Sequence, residues 1–138
     1  MTQEDKDLLL RDLCARLPYG VKCRYQHIQY VENGKIIDIN MFGLVNVDGH
    51  IKDICDIKPY LFPLSSMTEE QKKFFKDRPI FLDSENELVV KEDFFGNSRF
   101  TMLEDWVEVI LWLVKNHFDY RGLIPMGLAI DATNLNVY

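Results

Sequence analysis

The sequence predicts an α+β fold: an antiparallel β-meander of three or more strands packed against an N-terminal helix and a C-terminal apolar helix. Three observations carry this reading. Leu9, Leu10, Leu13, Cys14 and Leu17 recur at helical spacing near the start. Two β-rich runs, 21–32 and 35–47, flank Asn33-Gly34, and Asp48-Gly49 follows the second. A capped and strongly apolar segment, Trp106 to Phe118, then reads as the main core helix. The 138 residues have the length of a single domain, 1–138, and no Gly/Ser linker, repeat or low-complexity tract divides them.

The first helix has Thr2 as its cap and Glu4 and Asp5 at its positive end, and it stops at Pro18 and Gly20. In the hairpin, Asn33-Gly34 predicts a two-residue turn, because both turn positions need positive φ. That turn sets Glu32 against Lys35, so Ile37 faces Tyr30 and Ile39 faces Ile28 on the core side. The opposite side then pairs Asp38 with Gln29, Asn40 with His27, Phe42 with Tyr25, and Leu44 with Cys23. At Asp48-Gly49 a plain turn would oppose Leu44 with Asp53 and Met41 with Asp56. These are poor pairs, so a bulge or longer loop is expected before the third strand at 50–57.

Lys58 to Ser66 reads as an extended connector, since Pro59 and Pro63 forbid helix. Thr68 and Gln71 have capping-box spacing for a short helix with Phe74 and Phe75 inward. A strand pair, Ile80–Leu82 and Glu87–Val90, is expected around Asp83-Ser84-Glu85-Asn86. Thr101 and Glu104 form a second capping box. Beyond it Leu103, Trp106, Val107, Ile110, Leu111, Trp112, Leu113 and Val114 cover more than one stripe, so the helix is expected to meet the sheet and also a second helix or a second subunit. The tail, with Gly122, Pro125 and Gly127 among apolar residues, reads as a broken segment folded back on the core.

Charge and composition narrow the function. Against 16 basic side chains stand 22 acidic ones, a formal charge of −6, and the basic residues are dispersed along the chain. This disfavours nucleic acid as a partner. The densest basic group, Lys72, Lys73, Lys76 and Arg78 behind Glu69 and Glu70, reads as a solvated helix face. The longest strongly apolar run, Val109 to Val114, is far short of the ~20 residues that cross a bilayer. The polar, acidic start is unlike a secretory signal, and the cytoplasm is the expected compartment. Cys14, Cys23 and Cys55 show no CxxC spacing and read as small buried apolar residues, with no metal site. The glycines form neither GxGxxG nor a P-loop, and HExxH and GxSxG are missing, so no cofactor is expected.

Four constellations could carry chemistry. His27, Gln29, Asp38 and Asn40 share one hairpin face, and an imidazole beside a carboxylate has the elements of a general base. The same residues equally suit a solvated sheet face, while Tyr25 and Phe42 on that face suggest a cover from the chain itself or from another molecule. His117, Asp119, Tyr120 and Arg121 follow the core helix and read as termination and capping, with Arg121 pairing Asp119. Ser65 and Ser66 precede a helix as caps or anion ligands. Trp106, Trp112 and the phenylalanines read as core rather than as a ligand cage.

Two long stretches, Lys58-Pro59-Tyr60-Leu61-Phe62-Pro63-Leu64-Ser65-Ser66-Met67-Thr68-Glu69-Glu70 and Asn116-His117-Phe118-Asp119-Tyr120-Arg121-Gly122-Leu123-Ile124-Pro125-Met126-Gly127-Leu128-Ala129, resemble a family of short uncharacterised proteins from intestinal anaerobic bacteria and their phages or mobile elements. The resemblance implies an intracellular accessory protein and assigns no catalytic residue. Taken together, the residues point to a small non-enzymatic cytoplasmic binding or protein-interaction module, acting on a protein partner or by self-association as a homodimer. Its binding residues are Tyr25, His27, Gln29 and Phe42. The alternative is a small hydrolase or transferase using His27 and Asp38 as a general-base pair, with Asn40 beside them.

Overall fold

The structure, a computed structural model, describes residues 1–26, 30–90 and 99–138, with the backbone alone at 99–102. It has the α+β architecture read from the sequence. Helix α1 (Gln3–Arg16) starts on a reciprocal cap. Thr2 Oγ1 accepts from the Asp5 N–H at 3.1 Å, and the Asp5 carboxylate accepts from the Thr2 N–H at 3.3 Å. Past Pro18 the chain reverses at Gly20, whose φ of 73° suits glycine.

Strands β1 (Lys22–Gln26), β2 (Val31–Ile39), β3 (Leu44–Val47) and β4 (His50–Asp53) form the antiparallel meander. Strand β5 (Ile57–Pro63) pairs antiparallel with β1. After α2 (Glu69–Lys72), a separate hairpin joins β6 (Ile80–Leu82) to β7 (Leu88–Val90), as the sequence predicts. Helix α3 (Arg99–Lys115) leads to β8 (Phe118–Asp119), and the tail adds β9 (Ile130–Asp131). The large sheet runs β4-β3-β2-β1-β5-β8, with β9 also on β5; β8 and β9 lie parallel to β5.

Two apolar cores lie on either side of β5. One packs Leu9 and Leu13 of α1 against Val21, Cys23, Tyr25, Ile36, Val45, Val47, Ile57 and Leu61. The other gathers Phe75, Ile80, Val109, Leu113 and Phe118, with Trp112 stacked on Phe74 at 4.3 Å between ring centroids. Phe75 and Phe118 are buried here and Trp106, Trp112, Phe62, Phe74 and Phe81 pack half-buried against them, as expected of core residues, whereas Phe42 departs from that expectation and is exposed.

The hairpin register differs from the sequence reading. Lys22 pairs with Lys35, Cys23 with Gly34, and Tyr25 with Glu32, so the chain reverses between Gln26 and Val31, and Asn33-Gly34 lies inside β2. Packing outweighs turn preference here. A Cβ on Gly34 would fall 2.6 Å from Val47 Cγ1 and 3.1 Å from Tyr25 Cε1, so glycine is the residue this crowded ladder position admits. Ile36 faces the core at 1% exposure, whereas Ile37 is 54% exposed.

The expected bulge also sits elsewhere. Asp48 (φ 49°) and Gly49 (φ 94°) make the plain two-residue turn, and Leu44 does oppose Asp53. That pair is tolerated because Leu44 and Asp53 are both open to solvent and β4 is an edge strand. The register shift falls in β2 instead, between Ile36 and Asp38.

Further departures follow from local chemistry. The predicted connector at 58–66 is largely strand β5, because proline excludes helix but costs a strand only a donor. Helix α3 already includes Arg99, so Thr101 lies within it and not at its cap, and Phe118 belongs to β8. Leu103, Val107 and Leu111 of α3 form one stripe open to solvent, while Val109, Leu113 and Val114 are buried. Cys23 is buried, but Cys14 and Cys55 are exposed. Lys72 and Lys73 pair with Glu69 and Glu70 on a solvated face, whereas Arg78 packs over Phe74 and bonds Glu108 at 2.8 Å.

Candidate functional site

The sequence places its candidate site on the first hairpin. His27 and Gln29 lie outside the described residues. Asp38 is exposed, and its carboxylate accepts from the Ile39 N–H at 2.8 Å. Asn40 has a structural task. Its Oδ1 accepts from the N–H groups of Phe42 (2.9 Å) and Leu44 (3.0 Å), while its backbone bonds Leu44 and Gly43. The Gly43 φ of 76° completes the loop.

That loop presents Met41 and Phe42 at 89% and 81% exposure, the most exposed of the large hydrophobic side chains described. Tyr25 does not join them. It is buried, on the side of the sheet that carries Cys23, because the corrected register turns it inward. Its hydroxyl donates to Glu32 at 2.7 Å, and this bond, aided by burial and the Glu32 charge, pushes the phenol up to about 12. The predicted Tyr25–Phe42 pair therefore does not form. Leu44 and Ile51 open on the solvent side of β3 and β4, and Ile37 is exposed at the bulge of β2. The hairpin thus carries an open apolar surface with Asp38 among it.

The second cluster is drawn into the interior. Asp119 accepts from the N–H groups of Leu123 (2.9 Å) and Ile124 (2.8 Å), capping the following turn as expected. Arg121 turns away from Asp119 and reaches Asp12 of α1 at 3.2 Å. Asp12 also binds Arg16 through Nε at 2.6 Å and Nη2 at 3.2 Å, and Arg16 Nη2 donates to the Phe118 carbonyl at 2.6 Å. Asp12 and Arg16 are fully buried. A helix residue 109 positions upstream supplies the acid, so sequence proximity to Arg121 was no guide; the i, i+4 spacing of Asp12 and Arg16 was the available signal.

His117, with φ 65°, stacks on Tyr138 at 3.7 Å. Burial, with Arg16 and Lys22 nearby, pushes its imidazole down to about 4, and burial pushes the Tyr138 phenol up to about 12. The imidazole is thus held neutral, stacked on the Tyr138 ring. The Tyr138 hydroxyl donates to the Tyr60 carbonyl at 2.8 Å and accepts from the Lys22 N–H at 3.0 Å, tying the tail to the sheet. Ser66 Oγ donates to the Pro63 carbonyl at 2.7 Å, so it caps its own turn, and the α2 cap is Thr68. Asp56 and Asp131 are exposed.

Among the described residues, no three His, Cys, Asp or Glu side chains gather as metal ligands, and no helix is long and apolar enough to cross a membrane. No family model, curated protein or solved structure matches the chain.

Proposed function

We propose that the chain is a small cytoplasmic, non-enzymatic interaction module that docks a protein partner through the tip and open side of the β2–β3–β4 meander. The exposure of Met41 and Phe42 on a loop braced by Asn40 carries this reading. The Asn40 bonds restrain the loop backbone, so docking there has less backbone entropy to lose, although both side chains still give up rotamer freedom. Each stabilises a complex by about 1.5–3 kcal/mol when it leaves water. Ile37, Leu44 and Ile51 extend the contact, and Asp38 would stand at its rim. The open α3 stripe, Leu103, Val107 and Leu111, favours self-association as a second mode of the same reading, two copies packing helix on helix.

The test is a photo-crosslinking amino acid placed at Phe42, at Val107, and at exposed Glu85 as a control. The reading expects one discrete adduct from position 42 that disappears when Met41 is changed to Ser. A second copy of the chain is the expected adduct from position 107. Adducts from 42 and 107 no different from those at 85 would remove the proposal.

A further inference from the structure

The fold gathers basic residues that the sequence scatters. Lys22 opposes Lys35 across β1 and β2, and Arg24 opposes Lys58 across β1 and β5. Their neighbours Cys23, Ile57 and Gly34 face the core, so these four cations share the solvent side of three adjacent strands. Like charges set directly opposite one another destabilise a ladder. No carboxylate among the described residues pairs with any of the four. Arg24 lies over the Tyr60 ring at 5.9 Å, and Lys22 Nζ donates to the Val137 carbonyl at 2.6 Å.

A cleft of about 360 Å³ opens at this place, lined by Lys22, Lys35, Asn33, Tyr60, Asp48 and Val137. A second, of about 260 Å³, lies beside Arg24, Lys58 and Asp56, and Arg24 stands opposite Asn33 of the first. The Tyr60 hydroxyl donates to Asn33 Oδ1, which commits the amide oxygen and leaves the Asn33 NH2 as the free donor. Asp48 spends one oxygen on the Lys35 N–H at 3.2 Å.

We propose that this face binds a small, multiply charged anion of the phosphate-ester class, seated over Asn33 between Lys22, Lys35 and Arg24. The donors come from the adjacent strands β1 and β2, with Lys58 of β5 opposite Arg24. A tetrahedral phosphate accepts from several directions, whereas a planar carboxylate accepts chiefly in its plane. The patch spans three strands, about 10 Å, which suits one or two phosphoryl groups and is short for a nucleic-acid track. The acidic remainder of the chain, −6 overall, repels a long polyanion. This site does not depend on the docking proposal above, since it shares none of Met41, Phe42, Ile37, Asp38, Leu44 and Ile51 with that surface.

The test is a chemical-shift titration of the ¹⁵N-labelled full chain with inorganic phosphate and pyrophosphate at constant ionic strength. Saturable shifts are expected at the amides of 22–24, 33–35, Lys58 and Tyr60 and at the Asn33 side-chain NH2. Lys35→Gln and Arg24→Gln, both at exposed positions, should each weaken binding about tenfold, the loss of one charge-assisted hydrogen bond. Tighter binding of adenosine monophosphate than of phosphate would support the site and point to a free metabolite. Tighter binding of a phosphoserine peptide would support it and point to a phosphorylated partner. Equal shifts with citrate, unchanged affinity in both variants, no saturation, or preferred binding of an oligonucleotide or an unphosphorylated acidic peptide would each overturn it.

Discussion

Removing the Asp12 carboxylate should be among the most damaging single changes to stability. It accepts three bonds from two guanidinium groups, Arg16 Nε (2.6 Å), Arg16 Nη2 (3.2 Å) and Arg121 Nε (3.2 Å). In Asp12→Asn, Arg16 would remain a fully buried cation with no counter-charge, held only by neutral oxygens such as the Phe118 carbonyl, and its Nη1 already lacks a partner. The amide NH2 would also point a donor at a donor. Breaking one side of a buried pair costs about 3–5 kcal/mol, which for a domain of this size lowers Tm by roughly 10–20 °C. Urea denaturation followed by circular dichroism reads the loss as a lower midpoint at unchanged slope. The double variant Asp12→Leu/Arg16→Met removes both charges and should recover most of that loss, because the cost lies in the orphaned charge and not in the missing attraction. If Asp12→Asn stays within about 1 kcal/mol of the parent, or the double variant is worse than the single one, the pair does not hold α1 to β8 as described.

Two further outcomes follow from single positions. Gly34→Ala places a Cβ against Val47 and Tyr25, and should cost about 1–3 kcal/mol by thermal denaturation; a neutral result would restore Asn33-Gly34 as a turn. His117 is held neutral in the fold, with its pKa lowered from 6.5 to about 4. The unfolded chain therefore binds the extra proton first, and His117's contribution is complete above about pH 6.5 and is lost as pH falls toward 4. His117→Asn, which tolerates the positive φ, should flatten the fall in stability between those values, seen in denaturation midpoints at stepped pH.

The fold class was legible because it rests on long patterns: the period of α1, the β-rich runs, and the apolar α3. Caps were legible where the side chain is local, as at Thr2 and Thr68. The register was not. Gly34 looks the same in a sequence whether it turns the chain or makes room for Tyr25, and only the partner strand decides. The Tyr25–Phe42 pair was lost with that register. The basic face was invisible for a related reason: Lys22, Arg24, Lys35 and Lys58 are dispersed along the chain, and three strands must pair before they meet. Phe42 keeps its place as a candidate contact because its exposure comes from the loop and not from the register.

One unread signal was the spacing of the inward isoleucines. Ile36 and Ile39 both pack on the first core, three residues apart, while Val45 and Val47 opposite them are two apart. Strands alternate with period two, so this spacing requires one surplus residue in β2, and Ile37 is that residue. Deleting it should therefore be tolerated. Ile36 would still oppose Val47, Asp38 would oppose Asn46, and Ile39 would oppose Val45 in an unbroken ladder. We expect stability within about 1 kcal/mol of the parent, since an exposed side chain is lost and no buried one moves. Deleting Arg24 from β1 is the contrasting case. It brings Cys23 and Tyr25 side by side, so one of two buried side chains must leave the core, with a loss of about 2 kcal/mol or more. Denaturation of both deletions distinguishes a bulge from a regular strand. A chain that unfolds without Ile37 yet survives without Arg24 would mean that the inward face of β2 has been assigned to the wrong residues.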